Sequence, residues 1–143
     1  MKRYTIGIDL GGTNIAAGLV DEDNRILDTI SRKTNLPRPE AEVEQEIAAI
    51  CIELAARSRL DLAQDIAWIG IGTPGSVNSG TGVVEFNANF GYHNWHLSEH
   101  MARLLPCRIY IENDANAAAY GEFIAGGAKG AKCAVVITLG TGI

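Results

Sequence analysis

A carboxylate, two glycines, a hydroxyl and an amide follow one another at Asp9, Gly11, Gly12, Thr13 and Asn14, between two apolar runs. Glycines lack a Cβ, so the backbone can take positive φ and a ligand can come close to the main-chain N–H groups. Such N–H groups, with the Thr13 hydroxyl, can cradle phosphate oxygens. A carboxylate at a strand end can hold magnesium through water, because Mg2+ prefers oxygen ligands and keeps several of its waters. The pattern is neither of the common phosphate fingerprints. The chain has no Gly-x-x-x-x-Gly-Lys-Ser/Thr, and no Gly-x-Gly-x-x-Gly that opens a helix. On spacing alone, a plain hairpin turn accounts for the same residues.

A second glycine–threonine turn, Gly140-Thr141-Gly142, ends the apolar run Ala134 to Leu139. Two such turns, each capping a strand, could close on a polyphosphate from both sides. They could also be two unrelated turns. Glu112-Asn113-Asp114-Ala115-Asn116 stands where an apolar run meets an Ala-rich one. A carboxylate there would lie at the C-terminal edge of a sheet, where α/β proteins place their ligands. It could serve as a general base toward an alcohol. Asn and Asp are also favoured helix caps, so a structural role fits as well. Thr73-Pro74-Gly75 and Asn87-Ala88-Asn89 add amide and backbone donors suited to a polyhydroxylated ligand, or they are ordinary loops.

These groups need elements to hold them. Tyr4 to Leu10, Asn14 to Val20 and a run starting at Ile26 to Ile30 are separated by Gly11-Gly12 and Asp21-Glu22-Asp23-Asn24, which predicts an antiparallel meander. Val43, Ile47, Ile50, Cys51 and Leu54 form a helical stripe. Glutamates crowd its start and Arg57 and Arg59 its end, as the helix dipole favours. Ile66 to Ile71 and Ile109 to Ile111 predict strands buried on both faces. Thr73 to Gly82 predicts a loop, Val83 to Phe86 a short strand, and Leu97 to Leu105 a helix stopped by Pro106. Ala115 to Phe123 predicts another helix, ended by Gly126 and Gly127. The order implies an α/β fold with a mixed sheet. Ala134 to Leu139 then reads as the first strand of a further domain, left frayed, paired at an edge or donated to another molecule.

Composition narrows the function classes. The chain has 143 residues, which suits one domain with a sizeable core. Twelve basic residues against seventeen acidic give a net charge of −5, with no basic block, so a nucleic-acid reader is not expected. No apolar run approaches the ~20 residues that span a bilayer, so no membrane partner is expected. Met1 to Thr5 leads straight into a strand-like run and does not read as a secretory signal. Cys51, Cys107 and Cys133 lie far apart and form no Cys-x-x-Cys. A reducing, cytoplasmic setting is expected, with the cysteines as small buried residues. His93, His96 and His100 cluster, but no cysteine or paired carboxylate joins them, so a solvated group is expected rather than a metal site. Trp68 and Trp95 are expected to serve packing.

Taken together the motifs resemble the ROK family of sugar kinases, within the actin, hexokinase and heat-shock chaperone superfamily. The residues that carry the resemblance are Ile8 to Asn14, Gly70 to Gly75, Asn113 to Ala117 and Leu139 to Ile143, and they run the length of the chain. It is most similar to the bacterial glucokinase branch. The resemblance implies a ribonuclease H-like lobe over residues 1–132, with 133–143 opening a C-terminal lobe. It implies that Asp9, Gly11, Gly12, Thr13 and Asn14, with Gly140, Thr141 and Gly142, grip ATP phosphates and Mg2+. It implies that Asp114 is the catalytic base, and that Gly75, Asn89, Asn113 and Asp114 bind the sugar. Ala88-Asn89-Phe90 only approximates the family's Pro-Asn-Leu. The family's Glu-x-Gly-His, cysteine-rich zinc motif and adenosine pocket lie beyond the second glycine turn, so zinc is expected only in the C-terminal lobe. Family repressors carry a DNA-binding segment ahead of the first strand, and here that strand starts near residue 4. The expectation is a cytoplasmic hexokinase that converts glucose to glucose 6-phosphate in glycolysis, homo-oligomeric when full-length, with the 143-residue chain inactive alone. The alternatives are another hexose, an N-acetylated amino sugar, or a non-catalytic sugar-binding or scaffolding lobe.

Overall fold

The computed structural model describes residues 2–133. The chain forms β1 (Tyr4–Leu10), β2 (Asn14–Val20), β3 (Ile26–Lys33), α1 (Glu40–Arg57), a short α2 (Leu62–Asp65) and β4 (Ile66–Thr73). Then come β5 (Ser76–Asn78), β6 (Val83–Asn87), β7 (Tyr92–Trp95), α3 (Leu97–Leu104), β8 (Arg108–Asn113) and α4 (Asp114–Ala125). Five strands make one sheet in the order β3-β2-β1-β4-β8. β1, β2 and β3 pair antiparallel, whereas β1, β4 and β8 run parallel. The predicted meander is therefore present, and helical crossovers supply the parallel strands, as parallel pairing requires.

Alternation along the strands sorts the side chains to two faces. Ile6, Ile8, Leu10, Ile15, Leu19, Ile69 and Ile71 enter the core, where they meet Val43, Ile47, Ile50 and Leu54 of α1 and Leu97 and Met101 of α3. Each such side chain, fully buried, stabilises the fold by roughly 1.5–3 kcal/mol. Glu40 and Glu42 lie in the first turn of α1 and Arg57 in its last, as the dipole favours. The opposite face presents Gly7, Gly18, Gly70 and Gly72, with α4 packed against β4 and β8.

The structure corrects several local expectations. β4 and β8 are not buried on both faces, since Trp68 is 43% exposed and Tyr110 52% exposed on the glycine-lined side. The two rings meet edge to face, so Trp68 packs on a neighbour rather than in the core. The expected loop from Thr73 to Gly82 contains β5, the edge of a second, three-stranded sheet in the order β5-β6-β7. Polar residues hide β7 from a periodicity reading, because only Tyr92 and Trp95 are buried in it. Of the cysteines, Cys51 is buried, Cys107 half-buried and Cys133 exposed. Burial pushes the Cys51 thiol up to about 12, which leaves it unreactive at neutral pH. The expected strand Ala134 to Leu139 lies outside the described residues.

Candidate functional site

Register brings the first glycine turn and the Asn113-Asp114 junction together. Asp9 pairs with Gly72, and Gly72 pairs with Glu112 on its other side. Two carboxylates thus flank a residue that has no side chain, on the same open face. A Cβ on Gly72 would lie 3.4 Å from the Asp114 Cα and 3.5 Å from the Ala117 Cβ. Helix α4 therefore starts directly over Gly72, and Asp114 joins Asp9 and Glu112 at one end of a groove of about 1390 Å³.

The cap and the candidate base are different residues. Asn113 caps α4, its Oδ1 accepting from the N–H groups of Ala115 and Asn116 at 3.0 and 3.2 Å. Its Nδ2 donates to the Gly75 carbonyl at 2.9 Å. Asp114 sits in the first helical turn, half-buried, with Oδ1 accepting from the Ala115 N–H at 2.8 Å. Its Oδ2 accepts no hydrogen bond among the described residues. The Asp9 carboxyl is held above the usual carboxylate range, first because the groove withholds water and then because the Asp114 charge faces it.

The turn itself is tight. Gly11 N–H donates to the Asn14 carbonyl at 2.9 Å, and a Cβ on Gly11 would come within 2.8 Å of that oxygen. Thr13 and Asn14 are exposed. Asn89 also comes to the turn: a Cβ on Gly12 would lie 3.1 Å from the Asn89 Nδ2. Gly75 has φ +102, and any Cβ there would strike the Phe86 carbonyl at 2.2 Å, so two backbone segments cross where only glycine fits. Asp9, Gly11, Gly12, Thr13, Asn14, Gly75, Asn89, Asn113 and Asp114 therefore gather at one end of the large sheet, while Gly140, Thr141 and Gly142 lie outside the described residues.

Three residues that lie within the motifs but are not among the expected site residues brace this site. Glu112 holds the junction, its Oε1 accepting from Asn113 N–H at 2.8 Å. Fully buried Asn87 donates from Nδ2 to the Oγ1 of fully buried Thr73 at 3.2 Å and accepts from Phe90 N–H at 3.2 Å. That pair ties the loop bearing Asn89 to the end of β4. Spacing of two from Tyr110 could have placed Glu112 on the open face, but no sequence signal pairs Asn87 with Thr73. The His96 and His100 rings lie 6.4 Å apart. His100 Nδ1 lies 2.6 Å from the buried Glu44, which also accepts from Trp95 Nε1, whereas His93 lies against Phe86 at a tilt. Among the described residues no group of three His, Cys, Asp or Glu is placed to hold a metal ion.

The arrangement suits a polyphosphate with hydrated magnesium. It offers the Asp9 and Asp114 carboxylates, the Thr13 hydroxyl and the turn's N–H groups, and a cation there would relieve the repulsion between the two aspartates. Among the described residues no helix is long and apolar enough to cross a membrane.

The profile described as the ROK family matches residues 5–143. The glucokinase of Thermotoga maritima is 37% identical over 143 residues, 99% of this chain and 43% of its own length. A crystal structure of a ROK family glucokinase from Streptomyces griseus, in complex with glucose and AMPPNP, superposes with a TM-score of 0.78 at 35% identity. It covers 89% of this chain and 38% of that one. The xylose repressor of Bacillus spizizenii is 28% identical over 98% of this chain and 36% of its length. The chain thus spans about two-fifths of the length of the glucokinases it matches. Its lobe is ribonuclease H-like, of the actin-like ATPase fold.

Proposed function

The chain belongs to the ROK family, and we propose that the complete protein transfers the γ-phosphoryl group of ATP to a hexose, with glucose as the acceptor. One observation carries the reading: Asp9, which leads into the glycine turn, and Asp114 stand around Gly72 at one end of a shared groove. Likeness to a glucokinase bound to glucose and AMPPNP supports it. In this reading Asp9 and the Gly11 to Asn14 turn receive the phosphates, joined by Gly140, Thr141 and Gly142. Gly75, Asn89 and Asn113 receive sugar hydroxyls.

Asp114 accepts the proton of the primary hydroxyl as that oxygen attacks the γ-phosphorus and the bond to the ADP oxygen breaks. Phosphoryl transfer relies mostly on positioning and charge stabilisation, so the braced loops matter as much as the base. Magnesium bound with the nucleotide would supply charge neutralisation, and Asp9 would hold it through water. The protein acts as a cytoplasmic, glycolytic, homo-oligomeric enzyme. Residues 133–143 open its C-terminal lobe, which also supplies any zinc, and the 143-residue chain alone is inactive.

In the complete protein, Asp114→Asn should lower kcat with glucose by about 10²–10⁴-fold while glucose still binds. Near-normal turnover would remove Asp114 from the chemistry. A hexose panel that includes mannose, allose and N-acetylated amino sugars would identify the acceptor. Similarity to a xylose repressor favours a second reading, a lobe that binds sugar without phosphorylating it. Calorimetry with glucose and with Mg-ATP, beside a coupled kinase assay, separates the two.

A further inference from the structure

The turn that carries Gly12 and Thr13 does not hold its own shape. One main-chain bond closes it, from Gly11 N–H to the Asn14 carbonyl. The carbonyls of Gly11 and Thr13 are both taken by a single residue from outside the turn. That residue is Thr34, one position beyond β3. Its N–H donates to the Thr13 carbonyl at 2.8 Å, and its hydroxyl donates to the Gly11 carbonyl at 2.7 Å. Thr34 is completely buried. A buried hydroxyl without a partner is costly, and this one spends its proton on the turn.

The consequence follows from peptide geometry. The only cis bond among the described residues is Leu36-Pro37, so the Gly11–Gly12 peptide is trans. In a trans peptide the N–H points opposite to the C=O of the preceding residue. Drawing the Gly11 carbonyl toward Thr34 therefore turns the Gly12 N–H the other way. That N–H has no hydrogen-bond partner among the described residues, and neither has the N–H of Thr13. A second tier holds Thr34. Arg38 Nη1 donates to the Thr34 carbonyl at 3.1 Å, and the Tyr92 hydroxyl from β7 donates to the Arg38 carbonyl.

We infer that Thr34 is a positioning residue for the anion-holding turn: its hydroxyl sets the direction of the Gly12 N–H and so the affinity for nucleotide phosphates. This rests on the phosphate role proposed above for residues 11–14. Thr34→Val keeps the shape and removes the donor, Thr34→Ala removes it with less bulk, and Thr34→Ser keeps it.

The test uses the complete protein, with steady-state kinetics in Mg-ATP and glucose and calorimetry with Mg-AMPPNP. Thr34→Val should raise the KM for ATP and the Kd for AMPPNP about tenfold, with the glucose KM changed less than about twofold. Thr34→Ser should stay within about twofold of wild type on all of them. If the valine variant is insoluble, the alanine variant carries the same expectation. A purely structural residue would lower thermal stability and the active fraction without separating the two KM values. Unchanged nucleotide affinity, equal losses toward both substrates, or a serine variant as weak as valine would each overturn the inference. Thr34-dependent AMPPNP binding without hexose phosphorylation would sink the kinase reading and leave this one standing. Phosphorylation with normal AMPPNP binding in Thr34→Val would do the reverse.

Discussion

The two faces of the five-stranded sheet are built from alternate residues of the same strands, yet they do opposite things. On one face Ile6, Ile8, Leu10, Ile15, Leu19, Ile69 and Ile71 are sealed beneath α1 and α3. On the other, Gly18, Gly7 and Gly70 lie side by side in register, and Ala16, Asp9, Gly72 and Glu112 form the next row. The first face buries apolar area and supplies stability. The second contributes no side-chain burial at its glycines, and each glycine in a strand weakens it. What it provides instead is clearance, since α4 can begin over Gly72 and the carboxylates stand on a floor without side chains. The difference shows that stability and access can be segregated by a period of two within one sheet.

The comparison can be broken in three ways. Ile8→Ala on the sealed face should destabilise the complete protein by about 2–5 kcal/mol, because α1 cannot collapse into the void. Urea unfolding measures this, and a loss under about 1 kcal/mol would mean the face is not a packed core. Gly7→Ala, one residue away on the open face, meets nothing within 4 Å. It should stabilise by about 0.5–1 kcal/mol, the usual gain on removing glycine freedom, and destabilisation instead would show that the groove is filled in solution.

Asp9→Asn tests the electrostatic end of that face, with the smallest effect. The Asp9 carboxyl is held above its ordinary 3.8, so ionising it costs the folded state. That cost is absent below the ordinary value and complete once pH passes the raised one. In the absence of nucleotide, Asp9→Asn should have the higher Tm at pH 7, and the difference should vanish below about pH 3.8. A lower Tm at pH 7 would show that Asp9 is stabilised by its surroundings rather than strained by them.

Much of this was open to a reader of the residues. The stripe from Val43 to Leu54 marks α1 because helical periodicity needs only one buried side. The three N-terminal runs mark the meander because turn residues interrupt them. The glycine turn and Asn113-Asp114 stand out as motifs because their residue types are unusual at strand ends. β5 and β7 were missed, since short strands with polar residues carry little periodic signal. β4 and β8 were expected to be buried on both sides because a continuous apolar run does not say whether glycine faces a neighbour or open space. Thr34 carries no signal at all, and Thr73, Asn87 and Glu112 stand out only as members of polar motifs, not as the bracing groups they are. Their importance comes from hydrogen bonds to segments far along the chain.

By itself the amino-acid sequence determined the long strands and helices, and which residue types were available for phosphate and sugar chemistry. Periodicity, turn propensity and side-chain chemistry are local properties, and they act wherever the chain goes. Only the tertiary structure decided that Asp9, Gly72, Glu112 and Asp114 meet, that Asn89 comes to Gly12, and that Thr34 holds the turn. Those encounters depend on strand order and register, which arise from packing the whole sheet at once and appear in no single stretch of residues.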